Sequence, residues 1–361
     1  MQKAKKLIAA FLKNTYKYTM RLSVQYLTFF FLLAFKSLYA QQIDYRKNYY
    51  PLINKAELAI TEGKQAIALT NYLEAFNKVP EPFSKDLYNA ALCAAISNNT
   101  KIAVVLCKSL VLKGTEITFI LAQNAFRALE QSQEWQAFIE SYPALRKMFL
   151  LKVNMPLRKE LELMWARDQH YRIKPNGLLI YKDTIKAIDR ENIRDLKRII
   201  DKYTFPDESL IGVENPLEAP PFHSILYHHC QNTGNNSSSG LADFPNVLID
   251  AVKHGQLSPH RYAAYADIQG KPIYGNTTFY RIGKNGELRY LKMKESEIKR
   301  MNKKRISIGL APIGVYRKKV LFSLKNKNFI FDFNDSIIVL EGLDSKSIEE
   351  FLEHTNTIKA E

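Results

Sequence analysis

The chain has 361 residues, of which 46% are hydrophobic and 12% aromatic, and its formal net charge is +16. This composition supplies enough apolar side chains for a buried core and excludes a disordered protein. Seven of the 52 basic residues and none of the 36 acidic residues lie in residues 1–40. The remaining positive charge is spread along the chain without interleaved aromatic clusters, so no nucleic-acid partner is predicted.

Residues 1–40 predict a secretory signal region. Basic residues precede the apolar run Leu27–Phe35, which is shorter than the roughly 20 apolar residues of a membrane span. Cleavage is expected after Ala40, which predicts a periplasmic or secreted protein whose membrane contact is limited to this region. An uncleaved N-terminal anchor is the alternative, and Met20 competes with Met1 as the true start.

Residues 41–157 predict a helical repeat. Alanines recur at shifts of 35 and then 34 residues, and small residues at fixed offsets let paired helices approach closely. These alanines are Ala56, Ala59 and Ala68, then Ala91, Ala94 and Ala103, then Ala125, Ala128 and Ala137. A period near 34 is typical of tetratricopeptide-like helix-turn-helix repeats, which stack into a solenoid and bind a protein or peptide partner. The alternative is an ordinary helical bundle with alanine at its contacts. Pro143 and Pro156 predict a connector over 143–157.

The three cysteines show no metal-binding spacing. Cys93 and Cys107 flank a predicted turn, so they form either a disulfide in an oxidising compartment or two packed free thiols.

Residues 158–316 predict a mostly helical domain that begins with the helix Arg158–Arg172. Leu161, Trp165, Asp168 and Arg172 share one face of that helix, so an apolar stripe continues into two charged residues. Asp168 and Arg172 form either a surface ion pair or a polar cluster at the floor of a cleft. His229 lies on the apolar stripe of a later helix, where it is either a core histidine or a site residue.

Further elements follow in this domain and in the predicted appendage over 317–361. The domain is expected to contain an extended piece at Gly177–Tyr181, a helix at Asp189–Tyr203, a hairpin within 277–291 and a helix at Glu295–Met301. The appendage is expected to contain strands at Val320–Leu324, Phe329–Phe333 and Ser336–Leu340 and a helix at Ser345–His354.

Ordered polar and glycine positions in residues 158–316 resemble the bacterial family called domain of unknown function 6624. They are Asp168-Gln169-x-x-Arg172, Asp189-x-x-Asn192, Ile211-Gly212-Val213, His229, Asp267, Lys271-Pro272, Tyr274-Gly275, Arg305, Gly309-Leu310, Pro312 and Tyr316. The family pattern has Gln-His, Asp-Arg and Tyr-Gly-Thr-Gln where this chain has His228-His229, Asp267-Ile268 and Tyr274-Gly275-Asn276-Thr277. The resemblance implies no established activity, and it makes Gln169, Tyr274, Arg305 and Tyr316 candidate ligand-binding residues.

The predicted fold is mainly α, with an N-terminal helix-turn-helix repeat solenoid, then a mostly helical domain with short strands and a small C-terminal β-sheet. The leading functional hypothesis is an exported cell-envelope protein that binds a protein or a ligand through its repeat. The alternative is a hydrolase-like enzyme with His229 as general base, Asp168 or Asp267 as its orienting carboxylate and Arg172 or Arg305 as an anion clamp.

The sequence contains no motif that is typical of a metal site, a nucleotide site or a serine hydrolase. His223, His228, His229 and Cys230 are close in sequence, but adjacent helical residues diverge and no HExxH or CxxC is present, so no metal or cofactor is predicted. Walker A, GxGxxG and GxSxG motifs are also absent from the sequence.

Overall fold

A computed structural model of the protein describes residues 43–232, 244, 246–268, 273–276, 279–283, 287–331, 337–340, 342 and 344–357. The predicted signal region, Lys271-Pro272 and Thr277 lie outside these residues. The described elements confirm the predicted mainly α fold, with a repeat of helical hairpins first and a small sheet near the C-terminus.

Residues 45–152 form the N-terminal part, which is called the repeat below. Every regular secondary-structure element of the repeat is a helix. Its helices are α1 (Tyr45–Asn48), α2 (Tyr50–Thr61), α3 (Gln65–Phe76), α4 (Ser84–Ile96), α5 (Thr100–Leu112), α6 (Ile117–Leu121), a 3₁₀ turn at Asn124–Leu129, and α7 (Gln133–Lys152). The pairs α2–α3 and α4–α5 are antiparallel hairpins, and α5 packs on α7. Side chains of Asn99 and Ser132 cap α5 and α7 by accepting backbone N–H bonds.

The alanine spacing predicts the first two hairpins correctly and the third unit wrongly. In the first two units the six recurring alanines are all buried at helix contacts. In the third unit Ala125 is half-buried, and Ala128 and Ala137 are exposed. The short α6 and the 3₁₀ turn replace a full first helix there, and Trp135 and Phe138 fill the contact instead. The connector prediction is also wrong, because α7 continues through Pro143 to Lys152.

The rest of the described chain, residues 155–357, is called the C-terminal region. Its helices are α8 (Met155–Arg172), α9 (Gly177–Ile180), α10 (Lys182–Tyr203), α11 (Glu208–Ile211), α12 (His223–Asn232), α13 (Val247–Lys253), α14 (Pro259–Asp267), α15 (Glu295–Ser307), α16 (Ile313–Lys325) and α17 (Ser345–Glu353). Its strands are β1 (Phe279–Ile282), β2 (Leu288–Leu291), β3 (Ile337–Leu340) and β4 (Thr355–Thr357).

The long helices α8 and α10 pack on each other and on α12 to form the main core of the C-terminal region. The buried stripe of α8 is Leu157, Leu161, Met164 and Asp168, at spacings of four, three and four residues. Trp165 was predicted on this stripe, but it is 40% exposed because the core lies toward Met164. Asp168 therefore points inward, as the sequence predicted.

The sheet has the order β3-β1-β2-β4, with β1 parallel to β3 and the other pairs antiparallel. Phe279 of β1 packs on Tyr316 and Val320 of α16, which covers the sheet. The predicted hairpin, the strand ending at Leu340 and the last helix are confirmed. Two predictions are wrong: Val320–Leu324 belongs to α16, and Gly177–Ile180 is a short helix. Residues 329–331 are not a strand, and the end of that predicted strand lies outside the described residues.

The two parts are joined by side chains on the first helix of each hairpin. Asn54 and Glu57 of α2 and Lys85 and Asn89 of α4 form what we call the inner face of the repeat. Asn54 donates to the Gly309 carbonyl at 2.9 Å, and Glu57 pairs with Lys319 of α16. The inner face is therefore covered by the C-terminal region of the same chain.

Candidate functional site

Seven of the eight residues predicted as site candidates fall into two separate groups of contacts. Asp168, Gln169 and Arg172 meet around α8, α10 and α12. Asp267, Tyr274, Arg305 and Tyr316 meet around α14, α15 and α16. His229 belongs to α12 but is placed differently from the prediction. The geometry of each group decides whether it is a site or a structural cluster.

The first group centres on the buried carboxylate of Asp168. Its Oδ2 atom lies 2.9 Å from His228 Nδ1, accepts from Gln169 Nε2 at 2.7 Å and lies 3.4 Å from Arg172 Nε. Arg172 also donates from Nη2 to Asp189 of α10. Asp168 Oδ1 is buried without a hydrogen-bond partner among the described residues. Three helices therefore build a buried polar cluster around Asp168, which is more than the surface ion pair that the α8 stripe also allows.

The sequence pattern predicts His229 as the site histidine, whereas in the structure the ring of His228 contacts Asp168. The buried stripe of α12 runs through Phe222, Leu226 and Cys230, which turns His228 toward α8. The His229 ring instead meets Phe244 edge-on, at a centroid distance of 6.3 Å. A carboxylate bound to Nδ1 fixes the imidazole ring and leaves Nε2 as the nitrogen that can take up a proton. The Asp168–His228 pair has this arrangement.

The second group is a closed structural cluster. Asp267 accepts from the backbone N–H groups of Tyr274 at 2.8 Å and Asn276 at 2.7 Å. Arg305 donates to the carbonyls of Tyr274 and Ala311, and its guanidinium carbon lies 4.6 Å from the centre of the Tyr316 ring. All these side chains are buried. They hold the Tyr274–Asn276 turn against α15 and α16.

Burial sets the pKa directions in this cluster. It raises the pKa of Asp267, although the N–H groups of Tyr274 and Asn276 act in the opposite direction. Burial also lowers the pKa of Arg305 to about 10. The closed packing gives Asp267 and Arg305 a structural role, which differs from the roles of orienting carboxylate and anion clamp considered from the sequence.

A cavity of about 150 Å³ lies between the repeat and the C-terminal region. Its wall combines α2 and α4 of the repeat, the segment 206–220, the start of α14 and the backbone around Ile330. Its charged or titratable lining side chains include Glu57, Lys85, Glu208, His223, His260 and Arg261. Since one water occupies about 30 Å³ in the liquid, the cavity has room for about five waters or a polar molecule of that size.

Ion pairs organise the repeat side of this cavity. Lys85 Nζ lies 2.6 Å from Glu57 Oε1 and 2.8 Å from Asp86 Oδ1. Burial alone raises the pKa of Glu57, but the ammonium groups of Lys319 and Lys85 outweigh burial and lower the pKa to about 2. Glu57 is therefore ionised at neutral pH. This wall of the cavity therefore carries fixed charges of both signs.

The opposite wall carries the buried imidazole of His223. Its Nδ1 atom lies 2.6 Å from the Tyr265 hydroxyl. Burial, with a smaller effect from Arg261, lowers the pKa of His223 well below its usual value. His223 is therefore neutral at pH 7. Glu208 accepts from both the backbone N–H and the hydroxyl of Ser84 at 2.8 Å, which ties this wall to α4.

These cavity residues are not predicted by the sequence. Their one visible signal is charge at positions that pack with the alanine face, namely Glu57 next to Ala56 and Lys85-Asp86 at the start of α4. Such charges were not distinguishable from a solvated helix face. Only the tertiary partner Lys319, more than 230 positions further along the chain, makes Glu57 a buried residue.

The described residues bring together no group of three or more His, Cys, Asp or Glu side chains that could hold a metal ion. Within the same ranges every helix is too short or too polar to cross a membrane. Cys93 and Cys107 are buried and not joined by a disulfide, so the structure has the alternative of two packed thiols.

No protein-family model matches the chain, and it has no significant match among the curated proteins or the solved structures.

Proposed function

We propose that the protein is an exported binding protein of the cell envelope that encloses a small polar ligand between its repeat and its C-terminal region. The observation that carries this proposal is the cavity of about 150 Å³ lined by Glu57, Lys85, Glu208 and Arg261. Ligand sites are concave, few in number and fitted with a small set of placed polar groups. This cavity has those properties.

The proposal favours a ligand over a peptide on the repeat. Tetratricopeptide-like repeats bind partners on one helical face, and here Asn54, Glu57 and Asn89 of the inner face are engaged by the same chain. A partner on that face would have to displace buried contacts. The proposal includes an origin for each of the two parts. The alanine spacing supports a tetratricopeptide-like repeat, and the resemblance of residues 158–316 supports a relation to domain of unknown function 6624.

The chemistry of the wall defines the ligand class. Both signs of charge are present, and most of them are already paired within the protein, so a strongly charged ligand gains little. A neutral or zwitterionic molecule with several hydrogen-bonding groups fits better. The signal region predicted for residues 1–40 places this binding in the periplasm or outside the cell.

Native mass spectrometry of the gently purified protein tests the proposal. The variant Ala219→Trp adds bulk to the cavity wall, and Ala128→Trp adds the same bulk at an exposed position of the repeat. We expect one bound small molecule on the native protein and on Ala128→Trp, and its loss from Ala219→Trp. No bound molecule, or equal occupancy in both variants, would overturn the proposal.

A second candidate function rests on the Asp168–His228 pair. A histidine held at Nδ1 by a buried carboxylate is the usual arrangement of a general base, which keeps a hydrolase-like activity as the alternative. The test measures hydrolysis of p-nitrophenyl acetate by His228→Ala and His229→Ala. Activity lost only in His228→Ala supports this function, and equal rates in both variants and the native protein remove it.

A further inference from the structure

The turn between α8 and α10 exposes a group of large apolar side chains to solvent. Ile173 is 76% exposed, Leu178 64%, Leu179 80% and Ile180 63%. Singly exposed apolar residues are ordinary on protein surfaces, but a contiguous group marks an interaction surface. We call residues 173–181 the apolar tip.

The apolar tip has a defined backbone. Asn176 has a φ of 54°, in the left-handed region that few residues adopt without strain. A Cβ atom on Gly177 would lie 1.9 Å from the Tyr171 carbonyl oxygen, so only glycine fits there. The turn thus holds α9 close to the end of α8, with Leu178, Leu179 and Ile180 directed away from the core.

Basic and aromatic residues surround the apolar tip. The Lys174 ammonium lies 4.7 Å from the centre of the Tyr171 ring and 5.3 Å from that of Tyr181. Lys182 and Lys186 are exposed on the first turns of α10. Asp183 is the one acidic residue between positions 173 and 186 of the sequence. The surroundings of the tip therefore carry a net positive charge.

We propose that the apolar tip docks the protein onto an anionic lipid surface. Leu178, Leu179 and Ile180 enter the boundary between headgroups and acyl chains, where tyrosine rings are also favoured. Lys182 and Lys186 contact the anionic headgroups, each adding electrostatic attraction that salt screens. This contact is additional to the signal region and independent of the cavity ligand.

The shape and charge of the tip favour lipid over a protein partner. A stable protein interface buries about 800 Å² on each partner and needs a broad complementary surface. The tip is instead a short turn whose four large aliphatic side chains are highly exposed, with positive charge beside it. A short exposed apolar turn with lysines enters a fluid bilayer without requiring a complementary surface.

Co-sedimentation with vesicles tests the proposal. The probes are vesicles of phosphatidylcholine alone and of phosphatidylcholine with one quarter phosphatidylglycerol. The tip variant is Leu178→Gln with Leu179→Gln. The matched control is Leu150→Gln with Leu151→Gln on α7, where Leu151 is 79% exposed, nearly the same as Leu179.

We expect the native protein and the control to bind the anionic vesicles, and the tip variant to bind about tenfold more weakly. Lys182→Gln with Lys186→Gln should lower binding to anionic vesicles and leave the weaker binding to neutral vesicles unchanged. The proposal is overturned if the native protein binds neither vesicle. It is equally overturned if the tip variant and the control lose binding to the same extent, since that result indicates general apolar adhesion.

Discussion

Asn89 binds the backbone of Ile330 through both ends of its side-chain amide. Its Nδ2 atom donates to the Ile330 carbonyl at 2.6 Å, and its Oδ1 atom accepts from the Ile330 N–H at 2.9 Å. An amide side chain thus pairs with an extended segment of main chain on the inner face of the repeat. The segment is held across 241 positions of sequence and forms part of the cavity wall.

Replacing Asn89 with alanine should destabilise the protein by about 2 kcal/mol. Three hydrogen bonds are lost, two with the Ile330 backbone and one that Asn89 Nδ2 donates to the Tyr72 hydroxyl at 3.3 Å. The Ile330 N–H and carbonyl are left without their Asn89 partner in a partly buried place. The measurement is urea unfolding at pH 7. Asn71→Ala is the control, because Asn71 makes an exposed bond within its own helix and should cost less than about 0.5 kcal/mol. Equal values for both variants would contradict the role of Asn89.

Removing one member of the Glu57–Lys319 pair should be more costly than removing both. Both side chains are buried, so Glu57→Gln leaves the Lys319 charge without its main partner and should cost about 3–5 kcal/mol. Glu57→Gln combined with Lys319→Met should cost less than that. The free energies of unfolding of the native protein, Glu57→Gln, Lys319→Met and the double variant form a double-mutant cycle. A purely additive cycle would show that the pair is not coupled.

The same pair predicts a loss of stability in acid. The pKa of Glu57 is lowered to about 2 in the folded protein, below its value in the unfolded chain. Its contribution is therefore complete above about pH 4.5 and declines as the pH falls toward 2. The difference in unfolding free energy between the native protein and the double variant should shrink between pH 5 and pH 3. A constant difference over that range would contradict the lowered pKa.

The buried imidazole of His223 predicts a second dependence of stability on pH, at a higher pH than the dependence due to Glu57. Burial lowers its pKa, so the unfolded chain takes up a proton below about pH 6.5 while the folded protein does not. Stability should fall with decreasing pH by up to about 1.4 kcal/mol per pH unit from this group. His223→Gln should make the change in unfolding free energy between pH 7 and pH 5 smaller. An unchanged pH dependence would contradict a neutral buried imidazole.

Much of the fold followed from local sequence patterns, and its exceptions have tertiary causes. The helix at Arg158–Arg172 was predictable because its apolar and charged positions repeat at helical spacing. A short apolar run such as Val320–Leu324 has no diagnostic period, so its sequence is compatible both with the predicted strand and with a helix. It is helical because Tyr316 and Val320 pack on Phe279, contacts that local sequence does not reveal.

The candidate site was predictable only in part. The helical spacing predicts that Asp168 and Arg172 share a face with the core stripe, and both lie in the polar cluster around α8. The spacing does not decide between His228 and His229, since neighbouring helical residues differ by about 100° and the stripe of α12 continues through Cys230. The cavity could not be predicted, since its walls come from α2, α4 and α14, which only the packing of the whole chain brings together.

Glycine substitutions test the turn that builds the apolar tip. Gly177→Ala would place a Cβ atom 1.9 Å from the Tyr171 carbonyl oxygen, so the backbone must shift and stability should fall by more than about 1 kcal/mol. Gly314→Ala is the matched control, because Gly314 lies in α16 and nothing is within 4 Å of its added Cβ. It should be neutral or stabilising in thermal unfolding. A neutral Gly177→Ala would contradict the tight turn.

The most direct test of the account is a high-resolution crystal structure of the protein purified from cells without dialysis. We expect continuous electron density from one small polar molecule in the cavity, in contact with the side chains that line it, Glu208 and Arg261 among them. A cavity that contains only separate ordered waters, with these side chains bonded to one another, would contradict the proposed ligand site.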